Sequence, residues 1–216
     1  MKNKKIIFII FLIVVMACMP IVIQKDSILN LLVLILLYII LATSWNILGG
    51  YTGQTSLGHA AFFGLGSLAT RLLWIKGMHI IPSILIGSLL AVAFAMLIGA
   101  PAFRLKGVYF AIGTLALAEI LNVTVGNMFP EIASLPIKQL VGYQLVPRYY
   151  ALLGLAVFVI GGSYLLVNSK IGLGMMAVRE EEDAAESLGV SALKHKLIAL
   201  GVSAFFTGLA GGAFTF

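Results

Sequence analysis

Charged residues are scarce in this chain. Only 10% of its 216 residues are Asp, Glu, Lys or Arg, whereas hydrophobic residues make up 61% and the mean hydropathy is +1.11. Soluble domains carry about 25% charged residues, so this composition excludes a soluble globular domain and predicts a polytopic membrane protein. The formal net charge of +6 is therefore no indication of nucleic-acid binding, because Lys and Arg collect in the cytoplasmic loops of membrane proteins.

Cysteine and the common catalytic motifs are also missing. The single cysteine, Cys18, excludes an intramolecular disulfide and a cysteine-based metal site. The three histidines, His59, His79 and His195, lack the spacing of metal ligands. The sequence contains no GxxxxGK[ST] nucleotide-binding loop and no GxSxG nucleophile elbow. We therefore expect no ATPase site, catalytic residue, metal or cofactor in this chain.

Apolar segments long enough to cross a bilayer recur along the sequence. They predict an all-α membrane bundle that forms one transmembrane domain over residues 1–216. The N-terminal run follows Lys2, Lys4 and Lys5 as a cleaved signal does, but it continues through Ile23, which favours an uncleaved helix. About seven crossings are expected, near residues 6–23, 28–48, 56–75, 80–100, 107–125 and 149–167, with the last beginning near 197.

The basic residues predict an orientation. With a cytoplasmic N-terminus, alternating crossings place 101–106 and 168–196 in the cytoplasm and the proline-containing segment 126–148 outside. This arrangement agrees with the positive-inside rule. It puts nine of the fourteen basic residues on the inner side, namely Lys2, Lys4, Lys5, Arg104, Lys106, Lys170, Arg179, Lys194 and Lys196.

The third predicted crossing is rich in glycine and polar residues. Six glycines fall within eighteen residues, namely Gly49, Gly50, Gly53, Gly58, Gly64 and Gly66. A lipid-facing helix does not tolerate so many breakers and polar groups, so the segment either packs against protein or lines a water-filled cavity. Close packing through small residues, as in Gly49-xxx-Gly53 and Gly208-xxx-Gly212, is one interpretation.

A cavity is the other interpretation, because only a cavity requires the polar side chains of Gln54, Ser56 and His59. Glu119 is the one acidic residue in the middle of a predicted span. Ionisable groups within a membrane are costly and usually functional, although a carboxyl near the interface would simply be hydrated. We assign Gln54, Ser56, His59 and Glu119 to a candidate translocation path.

Residues 168–196 form a charged island between two apolar spans and hold five of the eight acidic residues. The pattern predicts an amphipathic helix that ends in a left-handed conformation at Gly189. Its small-residue face indicates a docking surface for a protein outside the membrane, and the alternative is a solvated connector. The predicted face consists of Ala177, Val178, Glu181, Ala184, Ala185 and Leu188, and the opposite side of Arg179, Glu180, Glu182, Asp183 and Glu186.

Three motifs in this order resemble one family. The stretch Gly53–Gly64 (GQTSLGHAAFFG) is similar to the GQ-SLGHAAF-G segment of bacterial branched-chain amino-acid ABC permeases of the LivM type. Arg104–Ala111 (RLKGVYFA) resembles their RL-G-YFA segment. The charged island resembles their EAA loop, with Asp183-Ala184-Ala185 and Gly189 in the EAA-xxx-G pattern and Asp in place of Glu. The resemblance covers nearly all of the chain after the first predicted helix.

The resemblance implies a multi-pass permease subunit in the bacterial inner membrane, with its N-terminus in the cytoplasm. It would import leucine, isoleucine or valine by alternating access. The implied partners are a second, LivH-like permease subunit, cytoplasmic ABC ATPase subunits, an extracytoplasmic substrate-binding protein and the lipid bilayer, but no nucleic acid. ATPase coupling would fall to the cytoplasmic loop 168–196, through Glu181, Asp183, Ala184, Ala185, Leu188 and Gly189.

Other functions remain open at this point. A related permease for urea or short amides shares the motifs. An ion-coupled secondary transporter would need paired broken helices, of which the sequence has one, and a membrane scaffold would need no ATPase. Permeases of this family usually continue with further spans after the EAA loop, so the resemblance also predicts that this chain is truncated at its C-terminus.

Overall fold

A computed structural model describes residues 12–21, 25–129 and 144–215. These residues form α-helices joined by turns and loops, and the described ranges contain no strand. The helices are α1 (Leu12–Ile21), α2 (Asp26–Gly49), α3 (His59–Ile75), α4 (Ile80–Ala102), α5 (Val108–Met128), α6 (Leu145–Val167), α7 (Lys170–Glu180), α8 (Glu182–Ser187) and α9 (Ala192–Thr215).

Five of these helices, α2, α4, α5, α6 and α9, are long and apolar enough to cross a membrane. They confirm the predicted all-helical membrane fold. The count of seven crossings stays a prediction for two reasons. Helix α3 has only 17 residues, because it begins at His59 and not near residue 56, and much of the predicted span 6–23 lies outside the described residues.

Helix α9 lies at the centre of the bundle and packs against α2, α3 and α4. In its apolar 18-residue stretch, 72% of the residues are buried, whereas the corresponding stretches of the other four long helices are 22–33% buried. Small residues permit this, because they let helix backbones approach closely. A Cβ added at Gly208 would lie 2.9 Å from the Cα of Ser88, and one at Gly212 would lie 2.7 Å from Thr70 Oγ1. The predicted packing role of Gly208-xxx-Gly212 is thus confirmed.

The pair Gly49-xxx-Gly53 does not pack helices as the sequence suggested. Helix α2 ends at Gly49, and residues 50–58 connect it to α3 without helical structure. Gly53 has a φ of +70°, a left-handed conformation that glycine adopts without steric cost. The glycines at this point therefore end one helix and turn the chain.

The loops predicted to be cytoplasmic meet at one end of the bundle. Arg179 of α7 donates from Nη1 to the carbonyl of Gly50 at 3.1 Å, and Lys196 Nζ lies 6.0 Å from the ring centre of Phe103. At the other end, Arg148 at the start of α6 donates to the carbonyl of Phe214 at 2.8 Å. This placement agrees with alternating crossings.

Candidate functional site

The charged segment, residues 168–191, connects α6 to α9 and folds differently from the single helix predicted. Helix α7 ends at Glu180, Glu181 is extended (φ −157°, ψ 113°), and α8 begins at Glu182. Four consecutive acidic residues, 180–183, would repel one another inside one helix. With a break at Glu181, two of them occupy the first turn of α8, where the helix dipole favours negative charge.

Part of the predicted small-residue face is turned towards the bundle. Val178 and Ala185 are buried together with Ala192 of α9, and Ala177 and Val190 pack against this cluster. Ala185 is only 3% exposed. A partner protein therefore has no direct access to Ala185 in this conformation.

Gly189 confirms the predicted helix end. Its φ is +84°, its N–H bonds the carbonyl of Glu186 at 2.9 Å, and the N–H of Val190 bonds the carbonyl of Ala185 at 2.9 Å. This pair of bonds is the Schellman motif, which usually brings the residue after the glycine against the helix. Here it sets Val190 against the cluster formed by Val178, Ala185 and Ala192.

The other candidate coupling residues lie on the outer surface of the charged segment. Glu181, Asp183, Ala184, Leu188 and Gly189 are all exposed. Leu188 is 85% exposed, which is costly in water for a large apolar side chain. Leu188 is thus the most exposed large apolar side chain of the charged segment, ahead of Leu173 at 63%, and acidic residues of α8 precede it in the sequence.

A buried ion pair, which the sequence did not reveal, attaches α8 to α9. Lys196 Nζ donates to Glu182 Oε2 at 2.6 Å. The Lys196 side chain is only 4% exposed and that of Glu182 is 34% exposed. The helical pattern had placed Glu182 on the side opposite the small-residue face. The signal available in the sequence was a lysine within the apolar start of the last span.

Gln54 and Ser56 serve the local structure of residues 50–58. The buried Ser56 accepts a bond from Trp45 Nε1 at its carbonyl (2.7 Å) and one from the Gly58 N–H at its hydroxyl (3.2 Å). The half-buried Gln54 donates from Nε2 to the carbonyl of Thr52 at 3.4 Å. Both side chains stabilise the turn between α2 and α3.

His59 joins three helices. Its Nε2 lies 2.7 Å from Ser203 Oγ on α9, and Ser203 donates its own proton to the carbonyl of Ser44 on α2 at 2.6 Å. Since that hydroxyl has only one proton, it accepts from His59, so Nε2 carries the imidazole proton. The other ring nitrogen, Nδ1, is buried and has no hydrogen-bond partner among the described residues.

Glu119 lies apart from these residues, in a groove of about 610 Å³ between α3 and α5. Asn122, one turn further along α5, lines the same groove, as do Leu57 and Gly64. Gln54, Ser56 and His59 are not among the lining residues. The structure thus brings together Glu119 and Asn122 but does not place the four candidate path residues in one site. The i, i+3 spacing of Glu119 and Asn122 was the signal for this pair.

Comparisons with known proteins agree with the resemblance. The family "Branched-chain amino acid transport system / permease component" matches residues 27–216. The high-affinity branched-chain amino acid transport system permease protein LivM of Escherichia coli (strain K12) is 28% identical, and the protein of the same name from Salmonella typhimurium is 27% identical. Each alignment covers 98% of this chain and 57% of the relative, so the chain spans little more than half of their length. No solved structure matches significantly.

Proposed function

Since the chain belongs to the family of branched-chain amino acid transport system permease components, we propose that it is a transmembrane subunit of a binding-protein-dependent ABC importer for leucine, isoleucine or valine. The observation that carries this proposal is the extent of the family match. It includes the helical bundle and also the charged segment, which is the part of the chain that extends beyond the apolar helices.

The charged segment is the proposed contact with the cytoplasmic ATPases. Exposed Leu188, flanked by the carboxylates of Asp183 and Glu186, suits a partner with an apolar pocket and a basic rim. Glu181, Ala184 and Gly189 are exposed beside it. We assign Ala185 an indirect role, because it supports this surface from the buried side.

The groove between α3 and α5 is the proposed part of the translocation path. An amino acid has an ammonium group, a carboxylate and, in this substrate class, an aliphatic side chain. Glu119 is suited to the ammonium group and the amide of Asn122 to the carboxylate, and the other lining residues are largely apolar. An ionisable side chain near the middle of α5 also needs water or protein around it. A second permease subunit that closes the groove would provide this.

Gln54, Ser56 and His59 contribute to the path, in this proposal, by shaping its wall. The hydrogen bonds of Ser56 and His59 fix the start of α3 against α2 and α9, and that of Gln54 stays within the turn. Leu57, Ala60 and Ala61, on either side of His59, line the groove. A cytoplasmic N-terminus is proposed as well. It follows from the basic residues and is compatible with the grouping of their loops at one end of the bundle.

The test is uptake of labelled leucine by proteoliposomes that contain the full-length permease with its partner permease, ATPases and binding protein. We expect uptake to require ATP and the binding protein, and excess valine to compete whereas urea does not. Glu119→Gln should lower uptake about 10-fold at unchanged protein abundance, because a charge-assisted bond contributes about 1.5–3 kcal/mol. Glu119→Asp is the matched control and should retain part of the activity.

Two results would overturn the proposal. Competition by urea or acetamide, without competition by valine, would assign the permease to the short-amide branch. Uptake that follows an ion gradient in the absence of ATP would identify a secondary transporter.

A further inference from the structure

We propose that Arg179 is a positioning residue, which fastens the charged segment to residues 50–58 so that both move as one unit when the ATPases close. This inference rests on the proposed function and adds the route by which motion reaches the groove. In the sequence pattern, Arg179 lies on the side opposite the predicted small-residue face, and Gln54 and Ser56 belong to the candidate path alone.

The contact between the two segments is close. Arg179 donates from Nη1 to the carbonyl of Gly50 at 3.1 Å, and its other nitrogens bond Glu180, which holds the guanidinium in place. A Cβ at Gly53 would lie 3.0 Å from Arg179 Cγ. Because Gly53 has no side chain, the aliphatic part of Arg179 can lie against residues 50–58.

Residues 50–58 contact α5 at their other end. The N–H of Leu57 bonds Thr114 Oγ1 at 3.1 Å, and a Cβ at Gly58 would overlap the backbone of Thr114. Leu57 also lines the groove that contains Glu119, which is little more than one helical turn beyond Thr114. The segment thus connects the proposed ATPase contact to the groove.

The bonds within residues 50–58 favour transmission of a displacement. Trp45 Nε1 holds the carbonyl of Ser56 at 2.7 Å, and Thr52 Oγ1 donates to the carbonyl of Leu48 at 2.6 Å. Thr52 and Ser56 are both buried. We expect a segment held by these bonds to move as a rigid body, since they restrict its backbone dihedral angles.

The first arm of the test replaces the side chain. In the reconstituted full-length complex, Arg179→Ala should lower leucine uptake per ATP hydrolysed about 5-fold, the factor expected for loss of one modest hydrogen bond. ATPase co-purification should be unchanged, because Arg179 lies on α7, whereas the proposed docking residues around Leu188 belong to α8 and its C-terminal turn. Arg179→Lys, which keeps a donor, should recover part of the coupling. Lys170→Ala, which removes an exposed basic side chain from the start of the same helix, is the matched control and should stay near the parent value.

The second arm replaces the contact by a covalent bond. The Cβ of Gly53 and that of Arg179 would be 3.8 Å apart, a usual separation for a disulfide. In a Cys18→Ser background, the double variant Gly53→Cys/Arg179→Cys should be poorly coupled when reduced. Oxidation should restore uptake per ATP, and a reductant should abolish the gain. Neither single cysteine variant should respond to oxidation.

The outcomes separate this inference from the proposed function. If the parent complex shows no ATP-dependent uptake, the proposed function fails and the inference fails with it. If the parent is coupled and Arg179→Ala is equally coupled, the inference alone is overturned. A complete disulfide that leaves transport blocked would also overturn it, since the two segments would then have to slide past each other during the cycle.

Discussion

If the proposed function is correct, replacing Gly189 by valine should uncouple the permease from the proposed ATPase subunits without unfolding the bundle. The Schellman motif at Gly189 closes α8 and sets Val190 against Ala185. Leu188, the most exposed large apolar residue of the charged segment, lies directly before Gly189. A residue that cannot adopt the turn therefore moves the proposed docking surface while the transmembrane helices stay packed.

The structure allows the size of the effect to be estimated. Gly189 has a φ of +84°, and apart from its two chain neighbours no atom of the described residues lies within 4 Å of a Cβ built on it. The cost of a side chain is therefore backbone strain and not collision. Left-handed backbone costs about 1–2 kcal/mol for an ordinary L-residue, and more for a β-branched one. Valine should thus raise the fraction of opened turns by a factor of about 5–30.

The assay uses a graded series in the full-length permease. Asparagine tolerates left-handed backbone better than other side chains, so co-purification with the ATPase and substrate-stimulated ATP hydrolysis should fall in the order Gly, Asn, Ala, Val. The thermal midpoint of the detergent-solubilised permease should change little across the series. That readout separates local opening from general destabilisation.

Equal complex yield and equal stimulation in Gly189→Val and the parent protein would refute this reasoning. An Ala185→Trp variant would not serve as a second probe of docking. Ala185 is buried between α8 and α9, so tryptophan would disrupt the packing of the charged segment itself.

Two further predictions concern the charged segment. In a Cys18→Ser background, Leu188→Cys should react with an impermeant thiol reagent in inverted vesicles but not in intact cells, and bound ATPase should protect it, whereas His79→Cys should react in intact cells. The opposite labelling pattern would contradict the predicted topology. Glu182→Gln should lower the free energy of unfolding by about 3 kcal/mol. This is the low end of the range for breaking a buried ion pair, because Glu182 is a third exposed. Adding Lys196→Met should recover most of that loss, and additive losses in the double variant would contradict a direct pairing.

Hydropathy predicted the long helices well because each obeys a single local constraint. A span must satisfy its own backbone hydrogen bonds and present apolar side chains over the bilayer thickness. Its position is therefore determined by a run of consecutive residues. The expected spans 80–100 and 149–167 accordingly fall within Ile80–Ala102 and Leu145–Val167. The helix end at Gly189 was predictable for the same reason, since a glycine after a polar helix is a local signal.

The candidate site was predicted less well because its contacts are not local. His59 and Ser203 are 144 positions apart, and Arg179 and Gly50 are 129 apart. Periodicity in a single sequence does not indicate which residues so far apart are in contact. The faces assigned to the charged segment were only partly right, for a different reason: Ala177, Val178 and Ala185 do lie in one cluster, but Ala184 and Leu188 are exposed. A helical wheel assumes a continuous helix, and the extended Glu181 changes the register between α7 and α8.

The attachments of the charged segment argue against a solvated connector. Fixing the backbone of each residue costs about 1–2 kcal/mol of conformational entropy, so a loop that served only to join α6 to α9 would gain nothing from being ordered. This segment is held to α9 by Lys196 and by the cluster around Ala185, and to residues 50–58 by Arg179. Its buried side fixes the position of its exposed side. An ATPase that pulls on Leu188 would then move α9 and the start of α3, whereas pulling on a flexible loop would only straighten it.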